Sequence, residues 1–257
     1  MRTNLSSQIS LNRVSPKYYK PENAVERSVL TRCEKVPTDI YETMEEGVQQ
    51  IANEITAKIQ ERQREGKFCV IGAGTGASLR PLYAELVRKH KDEGLSFRNV
   101  VIFNLYEYYP LVSEGAGSSF SQLNDLFLSQ IDIDKQNVFT IDGTIPQEAV
   151  IEYCRLYEQR IQTFGGIDIV LMGIGREGNI VMNEPGSSLS SPTRLILIDS
   201  TSRAEAAHNL GVDNLPPCSI TMGVATIMAA RKIYLLAWGD DKADIIKKAV
   251  EDKVSDT

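Results

Sequence analysis

Residues 165–194 read GGIDIVLMGIGREGNIVMNEPGSSLSSPTR. The run from Ile167 to Met172 is apolar but for Asp168 and rich in β-branched residues, the pattern of a buried strand. It feeds a glycine-rich turn, after which polar residues punctuate a short apolar run. A strand that delivers such a loop belongs to an open α/β sheet, where ligands gather outside the carboxyl ends of the strands. Glu177, Asn179 and Glu184 are expected to come together there, a clustering suited to recognising ligand hydroxyls or to acid–base work. Glu184, just before Pro185, is equally suited to capping a turn.

The flanking sequence repeats the theme. Apolar runs at 68–71, 100–103, 193–198 and 232–237 read as further strands. Helical spacing predicts helices over 78–90, 118–128, 147–164, 203–208, 221–230 and 242–251. Ahead of them, Ile40, Met44, Val48, Ile51, Ile55 and Ile59 mark an amphipathic helix that runs to about Arg64, with Gly66 as its stop. Strands alternating with helices predict an α/β fold, a mostly parallel central sheet with helices on both faces, Rossmann-like in form. Residues 1–35 are polar and irregular and read as an N-terminal extension. Residues 36–257 read as one domain, without repeats or linkers.

Bulk properties narrow the function. Of the 257 residues 42% are hydrophobic and 24% charged, and the net charge is -6. An acidic chain with dispersed basic residues is not built to track a phosphate backbone, so nucleic acid is excluded as a partner. No apolar run is long enough to cross a membrane, and the first residues lack the apolar core of a signal peptide, so a cytoplasmic protein is expected. Cys33, Cys69, Cys154 and Cys218 form no CxxC pair and read as reduced thiols, Cys69 and Cys154 as small packed residues. With His90 and His208 as the two histidines, no metal site is expected.

Three more segments could carry chemistry. Residues 72–78, GAGTGAS, join a strand to a helix. Glycines there let backbone amides approach an anion, and the helix start favours negative charge. Gly74, Thr75, Gly76, Ala77 and Ser78 are therefore candidates for phosphate binding, against the alternative of a tight turn that binds nothing. No Lys-Ser/Thr pair follows, so this is not a nucleotide P-loop. In residues 103–111, FNLYEYYPL, Glu107 lies among aromatics, either a buried acid with a raised pKa or a solvated or hydrogen-bonded loop carboxylate. Lys242 opens the last helix, where a cation opposes the helix dipole unless an anion is bound beside it; a solvent-facing lysine is the alternative.

Taken together, these pieces resemble the glucosamine-6-phosphate deaminase branch of the glucosamine-6-phosphate deaminase/6-phosphogluconolactonase superfamily. The resemblance runs from about Thr38 to the end. It rests on residues 165–194 and on the blocks VIGAGTGASLRPLYAEL, SFRNVVIFNLYEYYPL, SSFSQL, IDIDKQNVF and SITMGVATIMAARKIYLLAWGDDKA. It implies aldose–ketose isomerisation of a sugar phosphate with release of ammonia, and no cofactor or metal. Relatives read Asn-Met-Asp-Glu-Tyr where this chain has residues 104–108, which puts Tyr106 at the position of the proton-transfer base and keeps Glu107. They read Asp-Gly-His and then Asn-Glu-Pro where this chain has residues 177–179 and 183–185, so Asn179 stands for the ring-opening histidine between the retained acids Glu177 and Glu184. The phosphate loop and Lys242 match, whereas the phosphate-clamping arginine is His208 here. A histidine lacks the bidentate guanidinium fork, and an asparagine side chain cannot shuttle a proton.

The resemblance thus implies a deaminase/isomerase-like protein of amino-sugar phosphate metabolism with substituted acid–base positions. The alternatives are a catalytically impaired sugar-phosphate binding module or sensor domain of a larger protein and, more weakly, a sugar-phosphate lactonase. The expected partner is a small-molecule sugar phosphate. The resemblance also implies possible homo-oligomerisation, a possible further C-terminal domain, and a C-terminal strand that residues 36–257 are expected to lack.

Overall fold

The computed structural model describes residues 23–30, 32, 34–111, 115 and 117–253. Most of the expected N-terminal extension, together with Cys33, lies outside them; within it, Ala24–Leu30 forms the short helix α1. The predicted amphipathic helix is α2, Met44–Arg64. It starts four residues later than the Ile40 periodicity suggests, because the Thr43 side chain accepts the Glu46 N–H and caps the helix there.

From there the chain lays down β1 (Cys69–Ala73), α3 (Arg80–Glu93), β2 (Val100–Asn104), β3 (Tyr106–Tyr109), α4 (Ser119–Leu126), β4 (Val138–Phe139), α5 (Val150–Thr163) and β5 (Ile169–Gly173). Then come β6 (Arg194–Leu197), α6 (Ser200–Leu210), β7 (Cys218–Thr221), α7 (Val224–Met228), β8 (Lys232–Leu236) and α8 (Ala243–Glu251).

Five strands form the expected parallel sheet in the order β4-β2-β1-β5-β8. Period-two alternation sends Cys69, Ile71 and Ala73 to one face, against Ile55 and Ile59 of α2 and Leu82 and Leu86 of α3. Val70 goes to the other, against Cys154, Tyr157 and Ile161 of α5 and Ile227 of α7. Each fully buried isoleucine in these layers contributes roughly 2–3 kcal/mol of apolar burial. At the amino edge the buried Asp168 accepts from Arg62, from Arg231 at 3.2 Å and from the Val70 N–H at 3.0 Å, joining α2, β1 and β8.

Two expectations need correction. The strand near 193–198 does not join the main sheet: β6 pairs antiparallel with β7, and β7 with β3, in a separate three-stranded sheet. Thr221, expected to open a helix over 221–230, instead ends strand β7. The helix begins only after Gly223, whose backbone lies so close to the Ser191 and Pro192 carbonyls that a Cβ would stand 2.1 Å from each oxygen.

Strand order reverses at β1, with β2 on one side and β5 on the other. In sheets of this kind ligands bind outside the carboxyl ends of the strands at such a switch point, here the ends of β1 and β5. The loops after both strands flank it.

Candidate functional site

The 74–78 loop leaves the end of β1 against β5. The Gly74 N–H donates to the Leu171 carbonyl at 3.0 Å, and Tyr83 Oη donates to the Gly74 carbonyl at 2.6 Å. A Cβ on Gly74 would lie 3.0 Å from the Leu171 oxygen, so the close approach requires glycine. Gly76 and Ala77 are exposed and Ser78 is half-buried. The backbone then turns through Ala77–Leu79 into α3. Trp238 Nε1 pins the loop from the β8 side by donating to the Ser78 carbonyl at 2.9 Å.

Lys242 sits at the start of α8, as expected, and its Nζ donates to the Ile174 carbonyl at 3.1 Å. Ser78 Oγ in turn lies 3.6 Å from where a Cβ on Gly173 would stand. Lys242 is thereby tied to the residue that follows β5, and Ser78 lies beside Gly173 at the end of that strand.

In the second loop, Tyr106 Oη lies 2.9 Å from Thr75 Oγ1, which lies 3.2 Å from Ser119 Oγ. Ser119 Oγ donates to Asn104 Oδ1 at 3.3 Å, and Asn104 Nδ2 donates to the Tyr106 carbonyl at 3.0 Å. Asn104 and Ser119 are fully buried. Burial pushes the Tyr106 hydroxyl above its ordinary pKa, with the Thr75 hydrogen bond pulling the other way. Tyr106 is therefore a neutral phenol at physiological pH.

Glu107 points the opposite way. It is fully buried, and its carboxylate accepts from Ser118 Oγ at 2.8 Å and from the N–H groups of Tyr108, Ser119 and Phe120 at 2.9, 2.9 and 3.0 Å. Burial raises its pKa, opposed by these donors. The carboxylate sits on the N-terminus of α4, where negative charge is favoured, so its geometry is that of a group positioning Ser119.

The third loop folds back on itself through bridges Ile174↔Ile180 and Ile180↔Asn183. The Gly175 N–H donates to the Asn179 carbonyl at 2.9 Å, and the Asn179 side chain fills the space over Gly175 that a Cβ would need. Val181 has φ 57, a conformation costly for a β-branched residue, and is held by the mutual backbone bonds of Ile180 and Asn183. Glu177 is exposed and Glu184 half-buried. Among the described residues neither side chain is hydrogen-bonded to Asn179. His208 is exposed on α6, with no hydrogen bond to the 74–78 loop among the described residues.

Sequence reasoning missed Asn183, which is buried and spans two elements. Its Nδ2 donates to the Met222 carbonyl at 3.0 Å, and its Oδ1 accepts from Arg194 Nη1 at 2.8 Å. The Met222 N–H donates to the Leu105 carbonyl at 2.8 Å. This relay docks the third loop beside the second. It also missed Asn104, Ser118 and Ser119; the paired serines that open the predicted helix were the available signal. Among the described residues no cluster of His, Cys, Asp or Glu could hold a metal ion, and no helix is long and apolar enough to cross a membrane.

The profile of the family described as glucosamine-6-phosphate isomerases/6-phosphogluconolactonase matches residues 42–257. A glucosamine-6-phosphate deaminase-like protein of Bacteroides thetaiotaomicron is 60% identical over the whole chain, which spans only 39% of that relative's length. The glucosamine-6-phosphate deaminase of a Geobacillus species is 40% identical, over 82% of each chain. A solved structure of a monomeric glucosamine-6-phosphate deaminase superposes with a TM-score of 0.78 at 34% identity, covering 84% of this chain and 88% of that one. The 6-phosphogluconolactonase of Trypanosoma brucei, at 18% identity and a TM-score of 0.63 over 82% of this chain and 86% of that one, shares the fold.

Proposed function

The chain belongs to the glucosamine-6-phosphate isomerase/6-phosphogluconolactonase family, and from that premise we propose that it is a deaminase-like domain that binds phosphorylated sugars with little or no deaminase turnover. The observation that carries this reading is the Tyr106 hydroxyl: neutral, partly buried and hydrogen-bonded to Thr75 at 2.9 Å, where a proton-transfer base is needed. A phenol whose pKa lies above its ordinary value near 10 is a poor base at neutral pH. Asn179 adds to this, since it can orient a ligand hydroxyl but cannot carry a proton through ring opening.

Binding needs less. The exposed amides of Gly76 and Ala77, the Ser78 hydroxyl and the Lys242 ammonium would hold a phosphate at the start of α3. Glu177, Asn179 and Glu184 would meet the ligand hydroxyls from the β5 side. His208 would reach the site only from α6. Homo-oligomerisation, and a role as one domain of a longer polypeptide, belong to the same proposal.

The test is production of ammonia and fructose 6-phosphate from glucosamine 6-phosphate. We expect turnover near background in the wild-type chain, and a gain of about 10²-fold or more when Tyr106→Asp and Asn179→His are combined, since each acid–base group contributes about 10²–10⁴-fold. Wild-type turnover in the ordinary range of enzymes, about 1–10³ s⁻¹, would overturn the reading. It would favour instead a deaminase in which the retained acids on the third loop transfer the protons, and Glu177→Gln or Glu184→Gln would then abolish activity.

A further inference from the structure

Thr75 lies in the middle of the loop assigned above to phosphate, yet it is only 4% exposed. Tyr106 Oη and Ser119 Oγ cover its hydroxyl, at 2.9 and 3.2 Å. The next residues, Gly76 and Ala77, are exposed, and nothing stands within 4 Å of where a Gly76 Cβ would be. The loop is open on its Gly76 side and roofed on its Thr75 side.

The roof is held at both ends. The Tyr106 carbonyl accepts from Asn104 Nδ2, and Asn104 Oδ1 accepts from the same Ser119 hydroxyl that faces Thr75. The Tyr106 ring also packs edge-on against Tyr108, with centroids 5.7 Å apart. A ligand that pushes the phenol aside therefore breaks hydrogen bonds in a buried polar network, where unpaired groups are costly. At the end of β5, Ser78 lies beside Gly173 and Lys242 Nζ donates to the Ile174 carbonyl.

We propose that Tyr106 is a specificity-determining residue that limits ligand length: with a phosphate on the exposed side of the 74–78 loop, the anchored phenol blocks the path of a long carbon chain toward β3. The site then takes phosphorylated polyols or acids of short carbon chain ahead of hexose 6-phosphates. The inference rests on the phosphate reading of the 74–78 loop and Lys242.

Isothermal titration calorimetry with inorganic phosphate, glycerol 3-phosphate and glucosamine 6-phosphate tests it on the wild-type chain, Tyr106→Phe and Tyr106→Ala. The readout is the ratio of the two organic ligands' Kd values. Wild type should favour glycerol 3-phosphate by about tenfold or more. Tyr106→Ala should collapse that preference by about tenfold, and Tyr106→Phe, which keeps the ring but loses the bond to Thr75, by about threefold. Because Tyr106→Phe is nearly isosteric, it decides the matter even where Tyr106→Ala fails to fold. Phosphate binding without discrimination between the organic ligands in wild type, or a ratio unmoved in a folded Tyr106→Phe variant, overturns the inference and leaves the loop reading standing. No binding of any of the three ligands to wild type overturns both.

Discussion

Glu107 accepts the Ser119 backbone N–H at 2.9 Å, and the hydroxyl of that same serine faces Thr75 in the glycine loop. One buried carboxylate thus fixes the start of α4 and, through Ser119, the Thr75–Tyr106 contact. Removing it leaves the Ser119 and Phe120 amides and the Ser118 hydroxyl without their acceptor. We expect Glu107→Ala to cost about 3 kcal/mol, the range of hydrogen bonds to a buried charge. Urea denaturation measures it, and a loss below about 0.5 kcal/mol would contradict the role assigned to the carboxylate.

Asp168 has a comparable part at the other edge of the sheet. It is 1% exposed and holds Arg62, Arg231 and the Val70 N–H together. Breaking a buried ion pair from one side leaves an uncompensated charge, so Asp168→Ala should cost about 3–5 kcal/mol. Thermal denaturation checks this. Arg231→Ala should cost much less, since that side chain is half exposed and a surface pair is worth about 0–1 kcal/mol.

Glu54 supplies a pH test. Burial alone would raise its pKa, but hydrogen bonds from Lys232, Tyr234 and Gln50 outweigh burial and bring it to about 2. The unfolded value is near 4.3. A carboxyl depressed on folding adds stability that is fully present above the unfolded pKa and fades as pH falls toward the folded one. The stability gap between wild type and Glu54→Gln should therefore be constant above about pH 5.5 and narrow steadily toward pH 2. Screening at this partly exposed pair limits the gap to about 1 kcal/mol. Melting temperatures of both proteins across the acid range read it directly, and a gap that widens on acidification would sink the assignment.

These residues also show where the sequence was legible. The two-residue β4 was too short to show, but the other four of the five parallel strands were visible because burial demands apolar runs, as expected at 68–71 and 167–172. The antiparallel sheet was not. Tyr106–Tyr109 and Cys218–Thr221 are short and mixed in polarity, and they pair across more than a hundred residues. The places of the glycine loop, between β1 and α3, and of Lys242, at the start of α8, could be read from local chemistry. The direction of Glu107 could not, because it depends on strand alternation: Tyr106 and Tyr108 share one face of β3, and the residue between them must turn to the other, under α4. Ser119 was hidden for a similar reason, since a serine in the first turn of a helix carries no sign of a partner until the fold sets it beside Thr75.

Asn183 offers the last test, because its side chain joins the third loop to both Met222 and Arg194 by hydrogen bonds at 3.0 and 2.8 Å. Asn183→Ala strips the buried Met222 carbonyl and Arg194 of a partner, at an expected cost of about 2 kcal/mol. The effect should also be local. The Ile180 and Gly175 amides, which close the loop onto Asn183 and Asn179, should exchange with deuterium faster relative to the β1 and β5 amides than they do in wild type. Uniformly faster exchange would mean that Asn183 supports the whole fold rather than the loop. Unchanged exchange at Gly175 and Ile180 would mean that the backbone bridges and the packing around Val181 hold the loop without it.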